Sequence, residues 1–280
     1  MKSAVFERQR GEIEMALETL SAALAKFPKC AKLYMIQGQI HQSKQIFAAA
    51  RASFAAGFKA CPKEVTLWVL ASRLEEEDGK SIKARALLER ARLINPANDI
   101  LWAEAVGVEE RSGGAAQAKS MLARGLQECP TSGHLWSMSI WSEPRPMRKS
   151  RSVDALKKSA DNPMIICTVA RLFWAERKIE KARQWFERAV ATDTDLGDSW
   201  GWWLKFERQH GTSVIIVIII VVQPLSVSSP PQQEHREVVM KQCIAAEPHH
   251  SAMWQSIAKD VKNSGKTTQE ILEMVADALQ

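Results

Sequence analysis

The sequence predicts an all-α protein, an α-solenoid of about seven to eight tandem helix-turn-helix repeats. Three observations predict it. Prolines recur 34 residues apart, at Pro28, Pro62, Pro96 and Pro130, and Pro163 follows at 33. An aromatic stands six residues after most of them, at Tyr34, Trp68, Trp102 and Trp136, and Pro248 with Trp254 keeps the offset. Trp200 has Thr194 in the proline slot, and Val169 is expected in the aromatic slot after Pro163. Finally, 11 residues separate Trp68 from Gly79, Trp102 from Gly113, Trp200 from Gly211 and Trp254 from Gly265.

The unit 65–98 justifies the elements in order. Leu67, Val69, Leu70 and Leu74 surround Trp68 on a first helix, which Asp78 and Gly79 end because glycine suits a left-handed cap. Ser81 opens a second helix with Ala84, Leu87, Leu88, Ala91 and Leu93 at helical spacing. Asn95 and Pro96 close it, since proline cannot continue the hydrogen-bond ladder. Small residues such as Ala84 and Ala91 admit a neighbouring helix. A two-helix unit of this period has tetratricopeptide geometry. Tyr34, Trp68, Trp102, Trp136, Trp200 and Trp254 are therefore read as repeat-packing residues. Trp202 and Trp203 crowd the same helix turn as Trp200 and cannot all face one core, which predicts either that at least one lies on a groove or partner surface or that it is partly buried against the next helix.

Composition supports a folded chain. Of 280 residues, 46% are hydrophobic and 25% charged, which excludes wholesale disorder. The net charge of +6 is too diffuse to claim nucleic-acid binding. The five cysteines stand at least 31 positions apart, so neither a zinc ribbon nor a disulfide framework is expected. Six histidines show no metal-ligand spacing, and no phosphate-loop, dinucleotide or GxSxG motif occurs. Neither cofactor, metal, small-molecule substrate nor catalytic residue is expected. The opening MKSAVFERQRGEIEMAL lacks a signal-peptide apolar region, and the nine-residue tract VIIVIIIVV (214–222) is too short to cross a bilayer.

The helices carry a finer pattern. First helices bear acids near their ends, Glu75 and Glu76, Glu109 and Glu110, and Glu207, while second helices carry Ala84-Arg85 with Glu89-Arg90 and Ala182-Arg183 with Glu187-Arg188. Such acids and arginines can pair between helices, where bidentate geometry favours Arg. The pattern resembles the half-a-tetratricopeptide (HAT) repeat of RNA-processing scaffolds. Beyond it, the stretches 5–29, 126–137, 152–159, 172–190 and 198–212 resemble the C-terminal repeats of the pre-mRNA-processing factor six family. The resemblance implies a nuclear, non-catalytic scaffold of the splicing machinery that bridges snRNP particles in the tri-snRNP. Another HAT scaffold, in mRNA 3′-end processing, and a chaperone adaptor with a carboxylate clamp are the alternatives. Family members are several times longer. Thirty-four residues before Tyr34 the aromatic slot falls ahead of Met1, so the first repeat is expected to be truncated.

One basic stretch, 143–152, is expected at the inter-helix turn of the fifth repeat, its two prolines ending the first helix early. Arg145, Arg148, Lys149 and Arg151 are read as meeting Lys157 and Lys158 on the next helix. This is a solvated loop or a partner-binding edge for acidic or RNA phosphate groups, with Ser150 and Ser152 as candidate modification sites. The expected organisation is a solenoid over 1–212, a hydrophobic then Pro/Ser/Gln-rich irregular insertion over 213–233, and a continued solenoid over 234–280. The insertion supplies a surplus of 20 residues between two helices of one repeat, and is read as a gene-model or splicing artefact.

Overall fold

A computed structural model describes residues 12–159, 161–210 and 231–279. Among them, fifteen α-helices follow one another with no strand, joined in places by a 3₁₀ turn and one isolated parallel bridge, Leu196 with His250. The protein is an α-solenoid of helical repeats. Contacts divide it into two compact units meeting between Ser142 and Glu143, inside the stretch expected to be continuous. The first holds α1 (Ile13–Lys26), α2 (Ala31–Ser43), α3 (Phe47–Ala60), α4 (Val65–Glu77), α5 (Ser81–Ile94), α6 (Asp99–Arg111), α7 (Ala115–Glu128) and α8 (Gly133–Ser142). The second holds α9 (Arg145–Lys158), α10 (Pro163–Ala175), α11 (Ile179–Thr192), α12 (Gly197–His210), α13 (Pro231–Ala246), α14 (Ala252–Ala258) and α15 (Thr268–Ala278). The hydrophobic tract 214–222 lies outside the described residues. Helix α13 begins at Pro231, so residues 231–233 are helical and not part of an irregular insertion.

The standard unit is a first helix of 13 residues and a second of 14, as in α4 and α5, joined by a tight turn. The turn places Gly79 and Gly113 at φ +72° and +78°, and Gln45 and Arg177 occupy the same slot at +59° and +60°. The proline–aromatic spacing has a direct cause. The indole N–H of Trp68 donates to the carbonyl of Pro62 (2.8 Å), Trp102 to Pro96 (3.0 Å) and Trp136 to Pro130 (2.8 Å), while the Tyr34 hydroxyl donates to Pro28 (3.0 Å). Trp200 does the same to Thr194 (2.8 Å), so the acceptor is a main-chain carbonyl that any residue supplies.

The register after Pro163 differs from the sequence expectation. Pro163 is the first residue of α10, capped by Asn162, whereas Pro62 and Pro96 precede their helices by three residues. The buried residue in the aromatic slot is therefore Ile166, 34 before Trp200, and not Val169. Trp136 to Ile166 is 30 residues, and the loss falls where α8 stops after 10 residues. The last repeat also departs: its first helix, α14, has 7 residues and gives way to a 3₁₀ turn at Val261–Asn263.

The core of the first unit is a chain of local clusters, built around Leu20 and Ile40, Phe54 and Leu67, Trp68 and Leu88, and Trp102 and Leu122. The second unit has one larger cluster joining Phe186, Trp200, Phe206, Cys243 and Leu272. There α15 packs so closely on α12 that a Cβ on Gly201 would lie 2.6 Å from Val275. Trp102 is 5% exposed, lies under the Arg92 guanidinium (4.5 Å to the ring centroid) and packs against Gly125. Trp102→Ala is expected to cost about 3–5 kcal/mol through lost burial and the cavity left behind. Urea unfolding checks this, and a loss under about 1 kcal/mol contradicts a core role.

Candidate interaction site

The acids and arginines of the repeats form clamps across successive helix pairs. Arg51 on α3 donates from Nε and Nη2 to both oxygens of Glu75 on α4 (2.7 and 3.1 Å). Arg85 on α5 grips Glu109 on α6 (2.8 and 3.0 Å), and Arg183 on α11 grips Glu207 on α12 (2.7 and 3.0 Å). Each pair is 24 residues apart, and Glu75, Glu109 and Glu207 are all buried. Arg51 also pairs with Asp78, whose carboxyl is held below its usual range by Lys80 first and Arg51 second.

First helices of the first unit are cross-linked on their polar side too. Arg73 binds Glu104 in bidentate fashion, and Arg111 binds Glu76 in the same way while also reaching Glu104 (3.2 Å). Gln42 donates to Glu77. A chaperone-type carboxylate clamp needs cations on these helices to converge on a ligand, whereas Arg73 and Arg111 converge on neighbouring glutamates.

The basic stretch is helical. Pro144 is the N-cap of α9 and Pro146 sits in its first turn, where proline is tolerated because that N–H has no intrahelical partner. The two prolines thus start the second helix of the repeat, and Arg145, Arg148, Lys149, Arg151, Lys157 and Lys158 all lie on it. They do not form one patch. Arg145, Arg148 and Lys149 share one stripe at i, i+3, i+4, Arg151 and Lys158 share another, and Lys157 lies apart. Arg145 donates to the Ala175 carbonyl (3.3 Å) and Arg148 to the Glu143 carbonyl (2.9 Å), which orients both guanidiniums. Ser152 is corrected as a modification site: it is buried, and its hydroxyl donates to the Lys149 carbonyl. Ser150 is exposed.

Trp202 and Trp203 are also corrected as partner-surface residues. Both are buried, at 9% and 4% exposure. Helix α12 is enclosed on several sides by α10, α11, α13 and α15, so it has no single core face. Trp203 stacks on Trp200 and donates to Glu207 (3.2 Å), while Trp202 meets Trp174 edge-on beneath the Arg171 guanidinium (3.6 Å to its centroid).

Among the described residues, no group of three or more His, Cys, Asp or Glu is placed to hold a metal. Burial pushes the Cys167 and Cys243 thiols up to about 12, leaving almost no thiolate near neutral pH. Burial lowers His134 and His210 below the ordinary 6.5. The neutral His210 ring accepts the Trp174 indole N–H at 2.6 Å.

Several known proteins are similar to this chain. No protein-family model matches it. A tetratricopeptide repeat protein from Parabacteroides merdae shares 13% identity and a TM-score of 0.45, over 99% of this chain and 95% of that one. The C-terminal part of a TPR repeat-containing protein from Cytophaga hutchinsonii shares 11% identity and a TM-score of 0.43, over 89% and 96%. Curated relatives are more similar in sequence. The chain is 42% identical over 136 residues to Pre-mRNA-processing factor 6 of Homo sapiens, and 41% identical over 136 residues to Protein STABILIZED1 of Arabidopsis thaliana. It is 40% identical over 132 residues to Pre-mRNA-splicing factor prp1 of Schizosaccharomyces pombe. These matches cover 49%, 49% and 47% of this chain, and 12%, 11% and 12% of the relatives.

Two predictions follow the electrostatics. Arg183→Ala strands Glu207, whose side chain is 1% exposed, and is expected to cost about 3–5 kcal/mol. Arg183→Ala with Glu207→Gln should be less destabilised than Arg183→Ala alone, because no buried charge is left. A double-mutant cycle in urea measures this, and strict additivity would show the pair is uncoupled. The histidines give a pH dependence. His134 and His210 are held neutral in the fold and titrate near 6.5 when unfolded, so their contribution is complete above that pH and lost as pH falls below it. The melting midpoint should fall between about pH 7.5 and 5.5, with a shallower fall in the His134→Asn, His210→Asn double variant.

Proposed function

We propose that this chain is a non-catalytic scaffold in pre-mRNA splicing, acting in the nucleus and bridging snRNP proteins during tri-snRNP assembly. The observation that carries the reading is the 42% identity with Pre-mRNA-processing factor 6 of Homo sapiens and the 40% identity with Pre-mRNA-splicing factor prp1 of Schizosaccharomyces pombe, each over about half of this chain. The clamped repeats supply the mechanism. Bidentate pairs at three joints hold successive helix pairs in fixed register, so exposed side chains keep constant positions for partners. Partner contacts are assigned to the cations of α9, with Arg145, Arg148 and Lys149 on one stripe and Arg151 and Lys158 on another; peripheral contact with RNA phosphates would use the same groups. No membrane or small-molecule substrate enters this reading. Residues 213–230 are proposed as an insertion within an otherwise continuous repeat array. Because the chain spans about an eighth of its curated relatives, the assembly is tested directly. Tagged protein recovered from nuclear extract should carry tri-snRNP proteins, and Arg148→Ser, Lys149→Ser, Arg151→Ser together should weaken recovery in a salt-sensitive way with helicity unchanged. Recovery of 3′-end processing factors or chaperones in their place would refute the assignment.

A further inference from the structure

The joint between α9 and α10 breaks the rule that the other clamped joints obey. Backbone hydrogen bonds fix the equivalence of positions. The N–H groups of Lys80, Gly114 and Lys178 donate to the carbonyls of Glu75, Glu109 and Phe173, so Phe173 stands in the slot of the clamp glutamate. The capping N–H groups of Cys61, Asn95, Ser159 and Asp193 donate to Gly57, Ala91, Ala155 and Ala189, which puts Lys149 in the slot of Arg51, Arg85 and Arg183. By the same register, Arg148 replaces the buried Ala50, Ala84, Ala118 and Ala182, and Ser152 replaces the buried Phe54, Leu88, Leu122 and Phe186.

These replacements have a physical consequence. A serine in place of a large apolar residue withdraws volume from the joint, and a cleft opens between Arg145, Arg148 and Lys149 on one wall and Leu172 and Phe173 on the other, with Val169 at its floor. Phe173 is half-buried and tilted against Trp185 at 6.0 Å. The acid at the rim, Glu176, is bonded to Lys178 at 2.6 Å, and its carboxyl is held below its usual range by Lys178 first, with smaller contributions from the charges of Lys149 and Arg145. Lys149 is exposed, and among the described residues it forms no ion pair, although the corresponding arginine is paired at three other joints. The first turn of α9 also contains no acid, against the preference of a helix N-terminus.

We propose that this cleft binds an acidic, extended peptide segment of a partner protein. One carboxylate of the peptide takes, beside Lys149, the place that Glu75, Glu109 and Glu207 take beside their arginines. Arg145 attracts a further carboxylate, and one apolar side chain of the peptide rests on Val169, Leu172 and Phe173. The proposal rests on the reading of α9 as a partner-facing helix, and does not depend on which assembly the chain joins.

The test uses the full chain and fluorescence anisotropy. The probe is a fluorescein-labelled dodecapeptide of Asp and Glu with one central Leu; the comparators are the same peptide with Ala for Leu, and a single-stranded RNA dodecamer. The Leu peptide should bind about tenfold tighter than the Ala peptide, and more weakly as salt rises. Lys149→Glu, an exposed change, should weaken it by about tenfold or more at unchanged circular dichroism. Lys149→Arg with Phe173→Glu rebuilds the internal clamp and should remove peptide binding while keeping the melting midpoint. Equal binding of the two peptides, full binding by Lys149→Glu, or RNA that displaces the peptide at lower concentration would each overturn the proposal. Peptide binding as described without recovery of splicing proteins would count against the splicing assignment alone.

Discussion

The fold depends on one hydrogen bond repeated at every regular joint, from an aromatic N–H or O–H to the main-chain carbonyl six residues earlier. A buried indole needs an acceptor for its N–H, and the carbonyl that supplies it lies two residues past the end of the preceding second helix, just beyond its C-cap. The bond also pins the start of the next helix to the end of the last, and so sets the crossing between them. Proline contributes by stopping the ladder, but Thr194 shows that the bond itself requires only a carbonyl.

Once that crossing is fixed, the second helix of one pair presents its fifth residue to the eleventh residue of the next first helix. Arginine and glutamate at those positions meet face to face. A carboxylate as buried as Glu207 is expensive to desolvate, and only a planar bidentate donor returns most of that cost. Lysine is a point charge and fits the slot less well. The aromatic bond therefore gives the joint its angle, and the clamp gives it its register.

How much was legible in the sequence follows from how local each cause is. The helix pairs could be read because the turn, the stop and the aromatic bond are all encoded within a few residues of each other. The pairing of acid and arginine was legible as chemistry, since both residue types recur at fixed places. The α9–α10 cleft was not. Pro163 sits 33 residues after Pro130 by coincidence, and reading it as the next repeat mark shifted Ile166 and Phe173 out of their slots. The misreading of Trp202 and Trp203 has another origin. Amphipathic reasoning assumes one buried face, whereas α12 is packed on several sides, and nothing in its own fourteen residues announces how many neighbours it will have.

Departures from the repeat pattern concentrate in the fifth unit. There the first helix is short, the period falls to 30, the small packing residue becomes Arg148, the large one becomes Ser152, and the clamp acid becomes Phe173 in the helix that follows. Each change taken alone weakens packing. A joint selected only to hold two helices together would keep the alanine, the leucine and the glutamate that its counterparts use. The second unit also holds an aromatic cluster of Trp174, Phe186, Trp202 and Phe206, which packs away from this joint on α10, α11 and α12. Local rules broken together, at one place, in a chain that otherwise keeps them, are what motivates the proposal of a partner-binding cleft there.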